Sequence, residues 1–175
     1  TLDIASNTSF VSTNRGKNLI ALTLTNFTGR VAEIKEGILR MKLIIGKLKV
    51  DKSIAPDRYQ LFPHQLPEYN YGFPCFSPDG NHLYFVADIP GGYGGLDIYV
   101  SRASIGGWTF PENLGPRVNS TGNEVTPFFD GAALYFASDI SENGSGSFNL
   151  YKSEWVEGDF QQASVLPFPF NTVYN

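Results

Sequence analysis

The 175-residue chain is long enough to bury one sizeable core, and its composition excludes an intrinsically disordered protein. Aromatic residues make up 14% and charged residues 17% of the sequence, as is typical of ordered β-rich domains. The sequence predicts no membrane-spanning helix, because no run approaches the roughly 18 apolar residues that one needs. Its single cysteine excludes an internal disulfide.

The net charge of −4 is unevenly distributed along the chain. Residues 1–70 carry ten Lys and Arg against six Asp and Glu, whereas residues 71–175 carry three against eleven. Eight of the basic residues fall between Arg30 and Arg58. They are either solvated strand faces or a contact patch for an anionic partner, whose binding would weaken with salt. Aromatic residues and Arg do not interleave there, so nucleic acid is not a predicted partner.

The first 67 residues show the least regular pattern of short strands. "NRGKNLIALT", residues 14–23, has turn residues followed by an apolar run. A further strand is predicted within residues 37–50, where alternate apolar residues from Leu39 to Ile45 share one face. The apolar positions change parity after Gly46, which a β-bulge at that glycine would explain. The alternative is a short helix, whose apolar face would hold Val31, Ile34, Ile38 and Met41.

Residues 68–119 are predicted to form four strands joined by turns. "FPCFS" is a short strand that ends at Pro78-Asp79-Gly80, where Pro presets φ, Asp bonds back to the backbone and Gly accepts a positive φ. "HLYFVAD" has apolar residues in succession without polar alternation, so both of its faces must be covered. After the glycine loop "IPGGYGG" come a third strand, "LDIYVSRAS", and a fourth, "WTFPENL". Pro111 in the fourth strand indicates an edge position.

This pattern recurs along the chain at a spacing of about 52 residues. "LYF" at residues 83–85 returns 51 residues later, and "LDIYVSR" at 96–102 returns 52 residues later as "FNLYKSE". An earlier, degenerate copy is indicated by "NRGKNLIALT", which aligns with "PDGNHLYFVA" at an offset of 64, and by "FPHQLP", which aligns with "LGPRVN" at 52. The chain therefore divides into three units, residues 1–67, 68–119 and 120–175, of which the first has a longer insertion.

Antiparallel four-stranded units of this kind, covered on both faces and repeated about every fifty residues, describe the blades of a β-propeller. We therefore predict an all-β fold with three four-stranded blades, which is at most half of a six-bladed ring. Each end of such a partial ring would expose an apolar sheet face of a kind that monomers avoid. We expect further blades outside these residues to cover them. Pairing of two chains and packing onto a partner protein are the alternatives.

The sequence resembles the TolB-type propeller repeats of outer-membrane-associated proteins in Bacteroidetes. The resemblance is carried by "SPDGNHLYFVADIPGGYGGLDIYVSR", the following "W…P.NLG..VN..GNE..P" and "LYFASD". It is dense from Gly72 to Asp139, thinner to Thr172 and faint before Pro63. In that family the propeller often precedes an OmpA-like peptidoglycan-binding domain, and some members belong to type IX secretion and gliding machinery.

The departures from the family limit what the resemblance implies. The third unit has Asn149 where the second has Asp97, and its loop "DISENGSGSFN" lacks the tandem glycine pairs. The sequence has no OmpA-like segment. The resemblance therefore implies the propeller fold and an envelope setting, and it does not extend to peptidoglycan binding.

The sequence lacks the residue patterns that catalysis requires. It has no nucleophile elbow and no His pair at metal-ligand spacing. Cys75 is expected to be a buried small hydrophobe, and His64 and His82 are expected to be surface or capping residues. Asp88 and Asp139 follow the second strand of successive units, and this equivalence favours structural hydrogen bonding over an acid/base pair. We predict no catalytic residue, no metal and no cofactor.

Two loops imitate ligand-binding motifs without completing them. The glycines at 91–95 are followed by a strand, whereas a phosphate cradle needs a helix start; we expect a tight loop whose backbone is bonded by Asp97. "DISENGS" copies the start of a calcium loop, but Leu150 stands where its last ligand, a Glu, should be. A solvated loop is expected there. Asp79, Gly80 and Asp97 are predicted to be structural loop residues.

Binding is the function that these observations leave. In a propeller, the loops between the second and third strands and the links between blades emerge on one face, here residues 26–38, 66–72, 89–95, 117–124 and 140–147. On this face Tyr93, Arg117, Asn119 and Asn143 are the predicted exposed ligand- or partner-binding residues. The alternative is that all four are ordinary loop residues.

The predicted function is a non-catalytic, protein-binding scaffold propeller of the bacterial cell envelope. It would be periplasmic or associated with the outer membrane, and its partners would be other envelope proteins. The alternative is a propeller that recognises glycans or peptides, as an accessory domain or a hydrolase. A saturable small ligand would distinguish the second function from the first.

Overall fold

The computed structural model describes residues 8–25, 40–48, 54–140 and 147–171, which form fourteen β-strands and no helix. In chain order the strands are β1 (Thr8–Asn14), β2 (Leu19–Thr25), β3 (Met41–Leu48), β4 (Ile54–Leu61), β5 (Tyr71–Phe76), β6 (His82–Ala87), β7 (Asp97–Ser104), β8 (Gly107–Trp108), β9 (Glu112–Asn113), β10 (Glu124–Phe129), β11 (Ala133–Ser138), β12 (Asn149–Val156), β13 (Asp159–Phe160) and β14 (Ser164–Val165).

The strands form three antiparallel sheets in chain order. The first sheet has the order β1-β2-β3-β4, the second β5-β6-β7-β8 and the third β10-β11-β12-β13. In addition, β9 pairs with β7 and β14 pairs with β12. Consecutive strands are neighbours in each sheet, as short antiparallel connections dictate. The predicted all-β fold of repeated four-stranded sheets is confirmed.

The outermost strand of the second sheet is interrupted. β8 pairs with β7 at Ala103 and Ser104, and β9 pairs with β7 at Tyr99 and Val100. Pro111 lies between the two pieces. Because no other described strand pairs with β8 or β9, a residue without a backbone N–H costs no ladder hydrogen bond there. The third sheet repeats the arrangement with β13 and β14 on β12.

The central strand β6 shows how the sheets stack. Leu83 and Phe85 belong to the core shared with the first sheet, and Tyr84 and Val86 belong to the core shared with the third. Successive side chains of a strand point to opposite faces, and all four are at most 2% exposed. Each such burial stabilises the fold by about 1.5–3 kcal/mol. The prediction that both faces of this strand are covered is confirmed.

Leu83 and Leu134 occupy matching positions in the second and third sheets. Leu83 of β6 pairs with Ser101 of β7, and Leu134 of β11 pairs with Ser153 of β12. Both leucines and both serines are fully buried. The recurrence of "LYF" therefore marks the same place in two successive sheets.

Each sheet begins with a strand that contains a bulged, left-handed residue. Phe10, Phe73 and Thr126 have φ values of 28°, 50° and 52°, and each lies at a shift of the strand register. Positive φ is uncommon outside glycine, and a β-bulge accommodates it. The bulges place the first sheet 63 residues before the second. The predicted offset of 64 between the first and second units was therefore wrong by one, because it was based on similar turn residues and not on paired strand residues. A shift of one residue in a strand moves every side chain to the opposite face of the sheet.

Gly46 does not reverse the faces of β3. The pairing of β3 with β2 continues without a shift through Gly46. The pairing of β3 with β4 shifts its register between Gly46 and Leu48. Ile45 faces the second sheet, whereas Ile44 and Leu48 share the opposite face. The predicted change of parity was therefore wrong, because Leu48 continues the face of Ile44 by ordinary alternation. The alternative helix lies outside the described residues except for Met41, which belongs to β3.

The two end faces of the stack differ. On the outer face of the first sheet, Ile20, Leu22 and Ile44 are at most 2% exposed. On the outer face of the third sheet, Phe128 is 59% and Leu150 is 39% exposed. The expectation that both ends expose apolar faces is wrong for the first sheet and holds for the third. We call the outer face of the third sheet the open face; it carries Phe128, Tyr135, Leu150 and Lys152.

Candidate functional site

The connections between second and third strands meet the links between sheets at one end of the molecule, which we call the loop end. The Gly95 N–H donates to the Gly122 carbonyl at 2.9 Å, and the Leu96 N–H donates to Asn123 Oδ1 at 3.0 Å. A Cβ on Gly94 would lie 2.0 Å from the Gly122 oxygen, so this approach requires glycine. The segments 26–38 and 141–146, predicted to share this face, lie outside the described residues.

Asp97 holds the glycine loop of the second sheet together. Its carboxylate accepts hydrogen bonds from the backbone N–H of Tyr93 at 2.6 Å and of Gly94 at 3.2 Å. It also accepts one from Asn113 Nδ2 at 2.9 Å, and the residue is 1% exposed. These three hydrogen bonds engage the Asp97 carboxylate within the loop and with the outer strand of its own sheet.

Asp88 and Asp139 each bind an asparagine at the start of the same sheet. Asp88 accepts from the Asn70 backbone N–H at 2.6 Å and from its Nδ2 at 2.7 Å. Asp139 accepts from Asn123 at the same two distances, 2.6 and 2.7 Å. The two carboxylates therefore make the same hydrogen bonds in successive sheets, and they are not a pair that faces one substrate.

A side-chain amide pairs with the third strand of all three sheets, an arrangement that we call the amide clamp. Its oxygen accepts the N–H of a strand residue, and its nitrogen donates to the carbonyl of the same residue, which imitates a neighbouring strand. The distances are 2.8–3.1 Å, and the pairs are Gln65 with Leu43, Asn119 with Ile98, and Asn171 with Leu150.

The clamp corrects the prediction that Asn119 is an exposed binding residue. Asn119 is only 3% exposed, and its Nδ2 bonds to Asn113 Oδ1 at 2.8 Å as well as to the carbonyl of Ile98. Because both ends of its amide are engaged inside the protein, its side chain has a structural role. The sequence suggested exposure because Asn119 is a polar residue among the turn and polar residues of a link between units.

A cleft of about 370 Å³ opens at the loop end between the second and third sheets. Two of the predicted binding residues, Tyr93 and Arg117, lie on its wall together with the buried Asn119. Tyr93 is 47% exposed, and the half-exposed Arg117 forms an ion pair with Asp159. Asn143 lies outside the described residues. The sequence thus identified the surroundings of the cleft without its floor.

Glu124 forms the floor of the cleft and was not predicted from the sequence. It is fully buried, and its carboxylate accepts from the Ser120 N–H at 3.1 Å, the Ser120 hydroxyl at 2.5 Å and the Ser138 hydroxyl at 2.7 Å. Burial raises the pKa of Glu124, and these hydrogen bonds counter the rise. The described structure shows no cationic partner for it.

The cleft exists because Glu124 replaces a tyrosine of the preceding repeat. Tyr71 pairs with Ala87 in the second sheet, and Glu124 pairs with Ser138 at the same place in the third. The ring of Tyr71 packs at 6.1 Å from Phe85, and its hydroxyl accepts the Leu66 N–H at 3.1 Å. The smaller Glu124 leaves that volume open.

Asp79 and Gly80 form the turn between β5 and β6 at the opposite end from the loops. Asp79 accepts from the Ser77 hydroxyl at 2.5 Å and from the Asn81 N–H at 3.0 Å, and these bonds lower its pKa to about 2. Gly80 has a φ of +65°. Asn14 of the first sheet donates to the carbonyls of residues 77 and 78, so this turn also joins two sheets.

The remaining nucleophilic and metal-binding side chains are dispersed. Cys75 is buried against the third sheet, its sulfur accepts the Phe129 N–H at 3.4 Å, and burial raises the pKa of its thiol. His64 bonds to the carbonyl of Trp108 at 2.7 Å, and His82 lies 4.0 Å from Asp79. Within the described ranges, no three His, Cys, Asp or Glu side chains are grouped to hold a metal ion.

Two described basic residues of the N-terminal half, Arg40 and Lys42, contact the protein itself. Arg40 donates to the carbonyl of Glu68. Lys42 donates to the carbonyls of Leu66, Pro67 and Tyr69 at 2.7–3.2 Å, and burial lowers its pKa. These two side chains are therefore engaged at the link between sheets. They are therefore not available to the basic patch that was predicted to contact an anionic partner. Most of the other residues of that patch lie outside the described residues.

Comparison with known proteins supports the fold. No protein-family model matches the sequence, and no curated protein matches it significantly. TolB from Acinetobacter baumannii is similar in structure, with a TM-score of 0.50 and 18% identity over 89% of this chain and 31% of that one. A puromycin-hydrolyzing peptidase from Mycobacterium tuberculosis gives a TM-score of 0.52 and 17% identity over 92% of this chain and 23% of that one.

These findings define the class of protein. At such identities the likeness establishes the fold alone, and the chain spans less than a third of either neighbour. The repeated sheets, the bulged first strands and the structural likeness to TolB together define a TolB-like β-propeller fold. The described residues contain no helix that is long and apolar enough to cross a membrane.

Proposed function

We propose that the chain is part of a non-catalytic propeller that binds other proteins in the bacterial cell envelope. The observation that carries this proposal is the open face of the third sheet, where apolar side chains stand exposed at positions that are buried in the second sheet. A surface of this kind marks a protein contact. The repeated hydrogen bonds of Asp88 and Asp139 support a structural rather than catalytic use of the carboxylates.

The open face repeats the positions that pack the second sheet onto the third. Tyr84 lies in the buried core between those sheets, and the equivalent residue of β11, one repeat later, is Tyr135, which contacts Phe128 at a ring distance of 6.4 Å. Lys152 takes the place of Val100 and forms an ion pair with Glu154 at 2.9 Å. We propose that the partner protein packs here, in the way that the third sheet packs onto the second.

The envelope setting is supported by two likenesses. The phrase "SPDGNHLYFVADIPGGYGGLDIYVSR" resembles repeats of outer-membrane-associated proteins, and the structure resembles TolB from Acinetobacter baumannii. The protein is accordingly proposed to be periplasmic or outer-membrane-associated, with OmpA-family or type IX secretion proteins as the related assemblies.

A second candidate function is recognition of a small ligand, a peptide or a glycan. The cleft over Glu124 favours it, because concave, partly apolar sites with a few polar groups are where small molecules bind. The likeness to a puromycin-hydrolyzing peptidase is compatible with an accessory role beside a catalytic domain. Flat calorimetric titrations against envelope glycans and peptides would remove this candidate.

The test of the first proposal uses the natural full-length protein in its own cells. The wild type should fractionate with the envelope and co-purify with a reproducible partner, and Phe128→Asp on the open face should abolish the association. Ile105→Asp is the matched control, because Ile105 is an equally apolar and fully exposed residue at the hairpin between β7 and β8. A cytosolic protein, or a partner retained by Phe128→Asp, would overturn the proposal.

A further inference from the structure

The polar floor of the cleft presents hydrogen-bond acceptors only. The hydroxyls of Ser120 and Ser138 both donate their hydrogens to Glu124. Each hydroxyl oxygen also accepts one backbone N–H, from Gly122 at 3.0 Å and from Ile140 at 3.1 Å. A hydroxyl oxygen has two acceptor sites; Ser138 is only 1% exposed, so the partly exposed Ser120 is the serine that keeps an acceptor site within reach of a ligand. The floor can therefore receive a donor, and the negative charge behind it repels an anion.

No basic side chain of the second and third sheets is available to neutralise that charge. Residues 71–175 contain three basic residues and eleven acidic ones. Each of the three already has an acidic partner; the pairs are Arg102 with Glu112, Arg117 with Asp159, and Lys152 with Glu154. The negative charge of Asp97 further raises the pKa of Glu124. The cleft therefore lies in a negative field that favours cations.

The walls of the cleft are largely apolar and partly aromatic, and their one described basic residue, Arg117, is paired with Asp159. Phe136 and Tyr151 stack with ring centroids 5.8 Å apart, and Val118 and Ile140 are among the other apolar residues of the lining. Tyr93 adds a half-exposed ring at the rim. Such walls bury an apolar stem, and aromatic faces attract a cation directly.

We infer that this cleft binds a ligand with a primary ammonium group on a short apolar or aromatic stem, with Glu124 as the counter-charge. The ammonium donates to the hydroxyl oxygen of Ser120, whose own hydrogen bond to Glu124 connects it to the fully buried carboxylate. The attraction stays strong over that distance because the carboxylate itself is buried in the low-dielectric interior of the protein. The inference rests on the proposal that the molecule is a binding module, and it names the ligand class of one site.

Three probes with the same phenol ring separate charge from shape in this test. Tyramine carries the ammonium, 4-ethylphenol carries no charge, and 3-(4-hydroxyphenyl)propanoate carries a carboxylate. Calorimetric titration of the full chain should show tyramine binding at least about tenfold more tightly than 4-ethylphenol, since a charge-assisted hydrogen bond exceeds 1.4 kcal/mol. The carboxylate probe should not bind. Equal affinity for the first two probes, or no binding of tyramine, would overturn the inference.

Two substitutions at the floor locate the binding. Glu124→Gln keeps the shape and removes the charge, so it should weaken tyramine by about tenfold or more. Glu124→Tyr restores the residue of the preceding repeat, so it should fill the cleft and abolish binding while the protein remains folded, as a thermal melt would check. Retention of wild-type affinity by folded Glu124→Tyr would overturn the inference. Partner co-purification through Phe128 is measured separately, so either proposal can fail without the other.

Discussion

Asn119 binds the backbone of Ile98 with both ends of its side-chain amide, and the same relationship joins Gln65 to Leu43 and Asn171 to Leu150. In each sheet the amide comes from the link that follows the outer strand and pairs with the third strand. The clamp therefore fixes the path of the chain from one sheet to the next. The first sheet has the same clamp as the other two.

Loss of the buried clamp should destabilise the protein. Asn119→Ala leaves the N–H of Ile98 without its acceptor in a site that is 3% exposed, so we expect a loss of about 1–3 kcal/mol in the free energy of unfolding. Asn171→Ala is the matched control, since its clamp lies at a solvent-exposed edge and should cost less than about 1 kcal/mol. Urea denaturation of both variants measures the difference, and equal losses would contradict this account of Asn119.

The buried carboxyl of Glu124 should make stability depend on pH. Its pKa is raised above the ordinary value because it is desolvated. A carboxyl with a raised folded-state pKa holds its proton more tightly in the folded state. Its stabilising contribution is therefore complete below the unfolded pKa of about 4.3 and is lost as the pH rises through the folded pKa.

Denaturation of the wild type and Glu124→Gln across this range tests the effect. The free energy of unfolding of the wild type, relative to the variant, should fall as the pH rises from about 4 toward neutrality. A difference that is constant, or that grows in favour of the wild type with rising pH, would show that the carboxyl is not desolvated.

Asp79 should show the opposite pH dependence. Its hydrogen bonds from Ser77 and Asn81 lower its pKa to about 2, so it stabilises the folded state above the unfolded pKa of about 3.9 and loses that contribution as the pH falls. Because its side chain is 55% exposed, solvent screening keeps the effect below about 1 kcal/mol. Asp79→Asn should therefore be slightly less stable at pH 7, with the difference shrinking toward pH 3.

Cys75 should be unreactive in the folded protein. It is 7% exposed, it packs between the second and third sheets, and burial raises the pKa of its thiol. Since the thiolate is the reactive form, a thiol reagent should label Cys75 only as fast as the protein opens. Labelling in rising urea measures this, with the fully unfolded chain as the control. Rapid stoichiometric labelling without denaturant would place Cys75 at the surface.

The architecture was predictable where the repeat is dense. "LYF" and "LDIYVSR" mark β6 and β7 and their copies, because uninterrupted apolar strands are needed wherever a sheet is covered on both faces. The first sheet was misaligned by one residue because turn letters do not record which residues pair. That register became visible only from the bulges at Phe10, Phe73 and Thr126.

The candidate site was predictable only in part. Tyr93 and Arg117 stand out as loop residues, and the structure places both on the cleft wall. Asn119 was misread because a polar residue in a link is usually exposed, whereas its amide here replaces a strand neighbour. Glu124 was missed because its importance comes from its replacing Tyr71 of the preceding sheet. The equivalence of these two residues is visible only when the register of β5 and β10 is known.

The central claim is that the second sheet lies between two neighbours, with alternate residues of β6 facing opposite ways. In the structure Phe85 contacts Phe62 of the link after the first sheet at a ring distance of 5.2 Å, and Tyr84 contacts Phe129 of the third sheet at 5.2 Å. Proton–proton NOEs between aromatic rings test this most directly. We predict Phe85–Phe62 and Tyr84–Phe129 cross-peaks and neither Phe85–Phe129 nor Tyr84–Phe62 cross-peaks. Cross-peaks from both residues to the same neighbouring sheet would contradict it.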